Sequence, residues 1–106
     1  MYGTIGRFRP KPGKEQDVFA YLEDWKRTRG PNVKGHVGGY LYKPEQHPEE
    51  LILAVVFQDK ESYFANASDP EQDRWYRRLR DLLDVDPTWE DGEAFDESSG
   101  TRAAGR

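Results

Sequence analysis

The side chains best suited to chemistry lie together in one short segment, GHVGGYLY at residues 35–42. His36 is one of two histidines, and an imidazole titrates near neutral pH and can act as a general base. Tyr40 and Tyr42 follow at even spacing, and their phenols can orient a flat ligand by hydrogen bonds. Since side chains alternate along a strand, we expect all three on the same face. The segment therefore predicts His36 and Tyr40 as catalytic residues and Tyr42 as a substrate contact.

The catalytic and binding roles in this segment have structural alternatives. A histidine at the end of a strand can be satisfied by a backbone carbonyl, which would leave His36 without a part in catalysis. Gly38 and Gly39 could open space for a ligand, or they could permit a bulge or the close approach of a neighbouring strand. The second histidine, His47, lies in a polar segment beside Pro48 and is expected at the solvated surface.

Aromatic residues elsewhere in the chain could complete a pocket for a flat, apolar ligand. The chain contains three Trp, six Tyr and five Phe, which offer apolar surface as well as hydrogen-bonding groups. Because the chain is short of aliphatic side chains, the same aromatics are also candidates for the core or for a dimer interface. Beyond Tyr42, the sequence predicts as substrate-binding residues Phe57, Tyr63, Trp75 and Tyr76.

The composition argues against several classes of site and partner. There is no cysteine, which removes disulfides and thiolate zinc sites. The two histidines stand eleven residues apart without a carboxylate at a ligand-like spacing, so we expect no metal and no cofactor. A net charge of −4 does not match the basic surface of a nucleic-acid-binding protein. No apolar run reaches the ~20 residues of a membrane span, and no signal peptide is visible, so we expect a cytoplasmic protein.

The elements that must position these residues follow from the period of the apolar side chains. An apolar stripe from Val18 to Trp25 has helical spacing. Asp59 is a predicted N-cap, and Asp69 followed by Pro70 is a stronger one. The segment between the middle strands is polar, and the third strand is apolar on both faces. The sequence thus predicts four strands, at residues 2–9, 35–43, 50–58 and 88–95.

The order strand, helix, strand, strand, helix, strand is that of a ferredoxin-like α+β fold with an antiparallel sheet. The helical segments would cover one face of that sheet. The other face carries apolar residues at least on the third strand, and two such sheets packed face to face would bury them. We therefore expect one domain over residues 1–95, a homodimer, and a flexible tail over residues 96–106, which lack apolar periodicity.

Short motifs in this order resemble the antibiotic biosynthesis monooxygenase family of the dimeric α/β-barrel superfamily. The resemblance covers roughly residues 2–95 and implies a homodimer with a cavity between sheet and helices in each subunit. Some members oxidise polyketide-type aromatics without metal or flavin, some degrade haem, and others have no known reaction. The motifs are PGKE at residues 12–15, GGYLY at 38–42, PEEL at 48–51, DKES at 59–62 and SDP at 68–70.

The same resemblance argues against haem degradation by this chain. Haem-degrading members carry an Asn on the first strand, a Trp at the end of the third strand and a helical His. These positions fall on Gly6, on Phe57 and near Trp75. The residue types that support haem cleavage are therefore replaced at all three places.

Two functions remain open from the sequence. The first is a small-molecule pocket protein that acts as a cofactor-independent monooxygenase on a small aromatic or polyketide-like substrate. In it His36 would be the base, Tyr40 and Tyr42 would orient the substrate, and Trp75 would form a wall. The second is a non-catalytic ligand-binding or dimerisation module. The cavity decides whether any ligand fits, because Phe57, Trp75 and the tyrosines could fill it completely.

Overall fold

The computed structural model describes residues 1–96 and shows an open, four-stranded antiparallel sheet with three helices on one face. The elements are β1 (Tyr2–Phe8), α1 (Glu15–Thr28), a 3₁₀ turn (Gly30–Asn32), β2 (His36–Tyr42), β3 (Leu51–Phe57), α2 (Lys60–Ala67), α3 (Pro70–Asp81) and β4 (Thr88–Glu93). Along the sheet the strands are ordered β2-β3-β1-β4. The predicted ferredoxin-like α+β fold is confirmed, with its second helical segment divided into α2 and α3.

The observed strands match the predicted ones to within one or two residues at their ends. The tail predicted at residues 96–106 lies, apart from Asp96, outside the described residues. None of the helices within residues 1–96 has the length and the apolar character needed to span a bilayer.

Aspartates begin the two later helices, as predicted. Asp59 Oδ1 accepts a 2.8 Å hydrogen bond from the backbone N–H of Ser62, and Asp69 Oδ1 accepts one of 2.9 Å from the first turn of α3. These acceptors satisfy N–H groups that have no partner within the helix. Gln72, at the position of a capping-box partner, instead accepts a 2.9 Å hydrogen bond from the Trp25 indole N–H. This bond ties α3 to α1.

The apolar core lies at one end of the helix-covered face of the sheet, called the inner face below. Phe8 of β1 and Leu51 of β3 are directly opposite each other and are fully buried. Val18 of α1, Leu79 of α3 and Leu83 complete this cluster. Burying a side chain of this kind contributes about 1.5–3 kcal/mol, so the cluster fixes α1 and α3 over this end of the sheet. The other end of the inner face contains the candidate site.

The outer face of the sheet, turned away from the helices, carries apolar side chains on β1, β2 and β3 beside Arg7 and Glu90, and no element within residues 1–96 covers it. Ile5 is 41% exposed, Tyr40 74% and Tyr42 58%. Their strand register aligns them with the outer-face residues Ile52 and Ala54 of β3. The third strand is therefore apolar on both faces, as predicted.

A bulge in β2 decides which way His36 faces. The register with β3 shifts between His36, which pairs with Phe57, and Gly38, which pairs with Val56. The extra residue, Val37, puts His36 on the inner face, whereas Tyr40 lies opposite Ala54 on the outer face. The expectation that His36 shares a face with Tyr40 and Tyr42 is therefore wrong, because one extra residue inverts the alternation.

The two glycines of β2 have different structural roles. Gly38 lies at the bulge with a φ of 155°, a backbone conformation that residues with a side chain rarely adopt. Gly39 lies so close to β3 that a Cβ there would be 2.2 Å from the Ala54 carbonyl oxygen. The structural alternatives named for this pair, a bulge and a close strand approach, are both present.

Gly38→Ala is expected to destabilise the protein, and Gly92→Ala is its matched control. An added Cβ would have no atom within 4 Å at either position, but only Gly38 has a positive φ. We expect Gly38→Ala to lower the free energy of unfolding by about 1–3 kcal/mol. Gly92→Ala should change it by less than about 0.5 kcal/mol. Urea denaturation measures both, and equal effects would contradict a bulge that requires glycine.

Candidate functional site

A cavity of about 550 Å³ lies between the inner face of the sheet and the helices. Cavities of roughly 300–1,000 Å³ hold small molecules, so the aromatic side chains do not fill the space. Tyr42 is absent from its wall, in agreement with its position on the outer face. The residues predicted to form a site that border this cavity are His36, Tyr40, Phe57, Tyr63, Trp75 and Tyr76.

The β2 bulge brings His36 into an aromatic environment in the cavity wall. Its ring meets Trp25 edge to face, with centroids 4.9 Å apart and planes at 71°, and meets Phe57 at 5.6 Å and 75°. Burial lowers the pKa of His36 from its ordinary value of 6.5, because a protonated ring is disfavoured away from water. At neutral pH the imidazole is uncharged and can accept a proton.

The roof of the cavity is cross-linked between α1 and α3. The Tyr21 hydroxyl donates a 3.0 Å hydrogen bond to the Trp75 carbonyl oxygen, and the two rings stack with centroids 5.1 Å apart and planes at 9°. Trp25 meets Trp75 edge to face at 6.2 Å. Trp75 Nε1 is buried and has no hydrogen-bond acceptor among residues 1–96. Its N–H is therefore available to an acceptor on a bound molecule.

A polar corner stands apart from His36, around Tyr63 of α2. The Tyr63 hydroxyl donates a 2.8 Å hydrogen bond to Asp91 Oδ1 on β4. Burial and this hydrogen bond to a carboxylate raise the pKa of Tyr63 to about 12, so the phenol keeps its proton at physiological pH. Tyr63 also packs against Phe57, with centroids 5.6 Å apart, and against Tyr2. Phe57 thus separates Tyr63, on the β1 side, from His36 on β2.

Trp89 of β4 forms the remaining aromatic wall by lying across Gly6. A Cβ on Gly6 would come within 2.6 Å of the Trp89 ring, so glycine is needed for this contact. The same ring meets Phe8 edge to face at 5.5 Å and Tyr76 at 6.3 Å. Gly6 is where haem-degrading relatives carry Asn, and here the indole occupies the space above it.

Tyr40 borders the cavity although its register directs it to the outer face. Its side chain is 74% exposed. The structure therefore brings His36, Phe57, Tyr63, Trp75 and Tyr76 together and leaves Tyr40 at the margin. Within residues 1–96 no three carboxylate or imidazole side chains are grouped closely enough to hold a metal ion.

Several residues of the cavity wall escape the sequence analysis. Strand alternation places Thr4 of β1, and Trp89 and Asp91 of β4, on the inner face of the sheet. This alternation is the sequence signal by which these residues could have been found. That signal becomes useful only when the face covered by helices is known. Trp25 has helical spacing within the apolar stripe of α1, a pattern that core residues share.

A sequence model of the family described as antibiotic biosynthesis monooxygenase matches residues 1–78. The chain belongs to the antibiotic biosynthesis monooxygenase family. The match extends from β1 into α3 and includes every site residue predicted from the sequence. No curated protein matches the chain.

Solved structures share this fold at low sequence identity. Rv0793 from Mycobacterium tuberculosis has a TM-score of 0.75 at 20% identity, with 92% of this chain and 98% of that chain covered. A conserved protein from Methanosarcina mazei Go1 has a TM-score of 0.76 at 15% identity, covering 89% and 92%. A structure named antibiotic biosynthesis monooxygenase has a TM-score of 0.72 at 12% identity, covering 91% and 100%. At these identities the similarity establishes the fold.

The His36 ring is expected to titrate below 6.5 in the folded protein. Trp25→Ala should raise the pKa of His36 toward 6.5, because it removes part of the burial of the imidazole ring. Trp89→Ala is the control and should leave this pKa unchanged, since Trp89 contacts Phe8 and Tyr76 instead. The stability that burial of the uncharged His36 ring contributes is present above pH 6.5 and is lost as the pH falls through the lowered pKa of His36. Nuclear magnetic resonance of the imidazole nitrogens measures the titration. A wild-type pKa at or above 6.5 would contradict the burial.

Proposed function

We propose that this chain binds a small aromatic molecule in the cavity and oxidises it with dioxygen, as a cofactor-independent monooxygenase. The observation that carries the proposal is an aromatic-walled cavity of about 550 Å³ containing a histidine that is uncharged at neutral pH. Membership of a family described as monooxygenase supports the same reaction class. His36 is the general base in this proposal.

The reaction suits an aromatic substrate with a weakly acidic ring methylene, as in anthrone. His36 takes one proton from that carbon, and the delocalised carbanion passes electrons to dioxygen. A C–O bond forms, and the proton returns to give a hydroperoxide. The O–O bond then breaks as the second methylene proton is lost, leaving a carbonyl group and water. One oxygen atom stays in the product and the other leaves as water, so the substrate supplies all the electrons.

The side chains around His36 suit the orientation of such a substrate. A ring lying against Phe57 would have the imidazole on its β2 side and the Tyr63 phenol on its β1 side. The unpartnered Trp75 N–H can donate to an oxygen of the substrate, where negative charge gathers after proton loss. Tyr76 contributes a further wall of the cavity.

His36→Gln is expected to slow oxygen consumption strongly while substrate binding is retained. With anthrone as the probe substrate, loss of the base should slow turnover by about 10²–10⁴-fold. The dissociation constant, measured by calorimetry, should change by less than about threefold, because the glutamine preserves the packing. His47→Gln is the matched control, since His47 is exposed in the loop between β2 and β3. An oxygen electrode measures turnover.

Two outcomes would change the assignment. A His36→Gln variant that consumes oxygen as fast as wild type would place the base elsewhere. Anthrone binding by the wild type without oxygen consumption would favour the second candidate, a non-catalytic ligand-binding module, which needs the same cavity and no base.

We also propose that two copies pair through the outer faces of their sheets. Ile5, Tyr40 and Tyr42 form an exposed apolar surface on this face, continued by Ile52 and Ala54 of the central strand. Apolar patches of this kind mark interaction surfaces, and a second copy offers a face of identical twist and composition. The proposal gives Tyr40 and Tyr42 a role in the interface.

Ile5→Lys is expected to convert the protein from dimer to monomer. A lysine at the centre of the outer face, opposite Glu90 of β4, would place a charge between the two sheets, where removing it from water is costly. Val85→Lys is the control, because Val85 is an exposed apolar residue in the connection between α3 and β4, outside this face. Sedimentation at micromolar concentration distinguishes the two states. A monomeric wild type, or a dimeric Ile5→Lys variant, would contradict this interface.

A further inference from the structure

The hydroxyl group of Thr4 is buried at the cavity wall, next to the Tyr63 phenol. Thr4 lies on the inner face of β1, borders the cavity and is 6% exposed. Its Oγ1 forms no hydrogen bond of normal geometry with any group in residues 1–96. The hydroxyl is close enough to Tyr63 to act on that phenol, lowering its pKa against the larger effects of burial and Asp91. Buried polar groups are nearly always well paired, and the Thr4 oxygen still has lone pairs that can accept a hydrogen bond.

The neighbours of Thr4 give the corner its chemical character. Asp91 is directly opposite Thr4 in the register of β1 with β4 and also borders the cavity. Tyr63 already donates its single proton to Asp91. The phenol oxygen and the carboxylate can therefore only accept further hydrogen bonds, and the Thr4 hydroxyl, which acts on the phenol as a donor, is likewise left to accept. We name Thr4, Tyr63 and Asp91 the acceptor corner.

We propose that the acceptor corner is a subsite for a hydroxyl or N–H group of the ligand, and that it selects neutral hydroxyaromatics over aromatic carboxylates. A ligand donor at this place gives the Thr4 oxygen its partner. A ligand carboxylate has no proton to donate and would lie beside the exposed carboxylate of Asp91, where two like charges repel. The inference rests on the proposed function, since it assumes an aromatic ligand in the cavity.

The corner also orients that ligand. Tyr63 and His36 are both 5.6 Å from the Phe57 ring, by centroids, and lie toward different strands. A hydroxyl held in the acceptor corner therefore directs the far side of the ring system toward the imidazole. The substrate class becomes a flat molecule with a donor at one end and the reacting carbon at the other.

The preference for hydroxyaromatics is tested by measuring, with calorimetry, the dissociation constants of three probes of the same shape. They are β-naphthol, β-methylnaphthalene and β-naphthoate, which share a ring system and differ in the polar group. We expect β-naphthol to bind about tenfold more tightly than β-methylnaphthalene, the effect of one hydrogen bond. β-Naphthoate should bind at least about tenfold more weakly than β-naphthol.

Substitutions of Thr4 and Asp91 test whether these residues of the acceptor corner cause the preference for β-naphthol. Thr4→Val keeps the shape of the side chain. It should remove the tighter binding of β-naphthol and leave the affinity for β-methylnaphthalene unchanged. It should change the thermal stability little, because the hydroxyl forms no hydrogen bond of normal geometry. Thr4→Ser should retain the preference, and Asp91→Asn should reduce the discrimination against β-naphthoate. Thr88→Val, on the outer face of β4, is the control and should change none of the three affinities.

The outcomes separate this subsite from the cavity itself. Equal binding of β-naphthol and β-methylnaphthalene by the wild type would overturn the subsite and leave the cavity as a ligand site. Loss of both probes in Thr4→Val would overturn it as well, since that result indicates wall packing. Failure of all three probes to bind would count against the proposed function on which the subsite rests.

Discussion

The structure depends on one requirement, that the central strand β3 be covered on both faces. Its side chains are apolar on the inner face and on the outer face, and such a strand is stable only when both are removed from water. Within one chain the helices cover the inner face, fixed there by the buried pair of Leu51 and Phe8. The outer face has no covering element within residues 1–96. The same strand therefore provides the floor of the cavity and the reason for the proposed dimer.

The core and the cavity divide the inner face between them. Aliphatic side chains and Phe8 gather around Leu51, whereas the opposite end of β3 finishes in Phe57, between the rings of His36 and Tyr63. Both rings meet Phe57 edge to face, an arrangement that aromatic pairs prefer. The hydrogen bond from Trp25 to Gln72 ties α1 to α3 in the roof of the cavity. The core and the candidate site thus occupy opposite ends of the same face of the sheet.

Periodicity predicts where strands and helices lie, but it does not predict which way a side chain faces when the period is broken. His36 is the example, because Val37 is an extra residue and only the positive φ of Gly38 accommodates it. A glycine pair in a strand is equally consistent with a bulge, a close strand approach or room for a ligand, so the sequence could not choose. Thr4 and Asp91 lie on regular strands, yet they become neighbours only through the pairing of β1 with β4, the first and last strands. That long-range pairing is the part of the site that local sequence reasoning does not reach.

The three tryptophans of the chain, Trp25, Trp75 and Trp89, all border the cavity. The indole fluorescence of the protein therefore comes entirely from the wall of one site. Trp25 and Trp75, with ring centroids 6.2 Å apart, are near enough to share excitation energy. A molecule that displaces water from the cavity alters the surroundings of every emitter, whereas a contact on the outer face touches none of them. Indole fluorescence can thus report occupancy of the cavity in an unlabelled sample, whether or not the sheets pair.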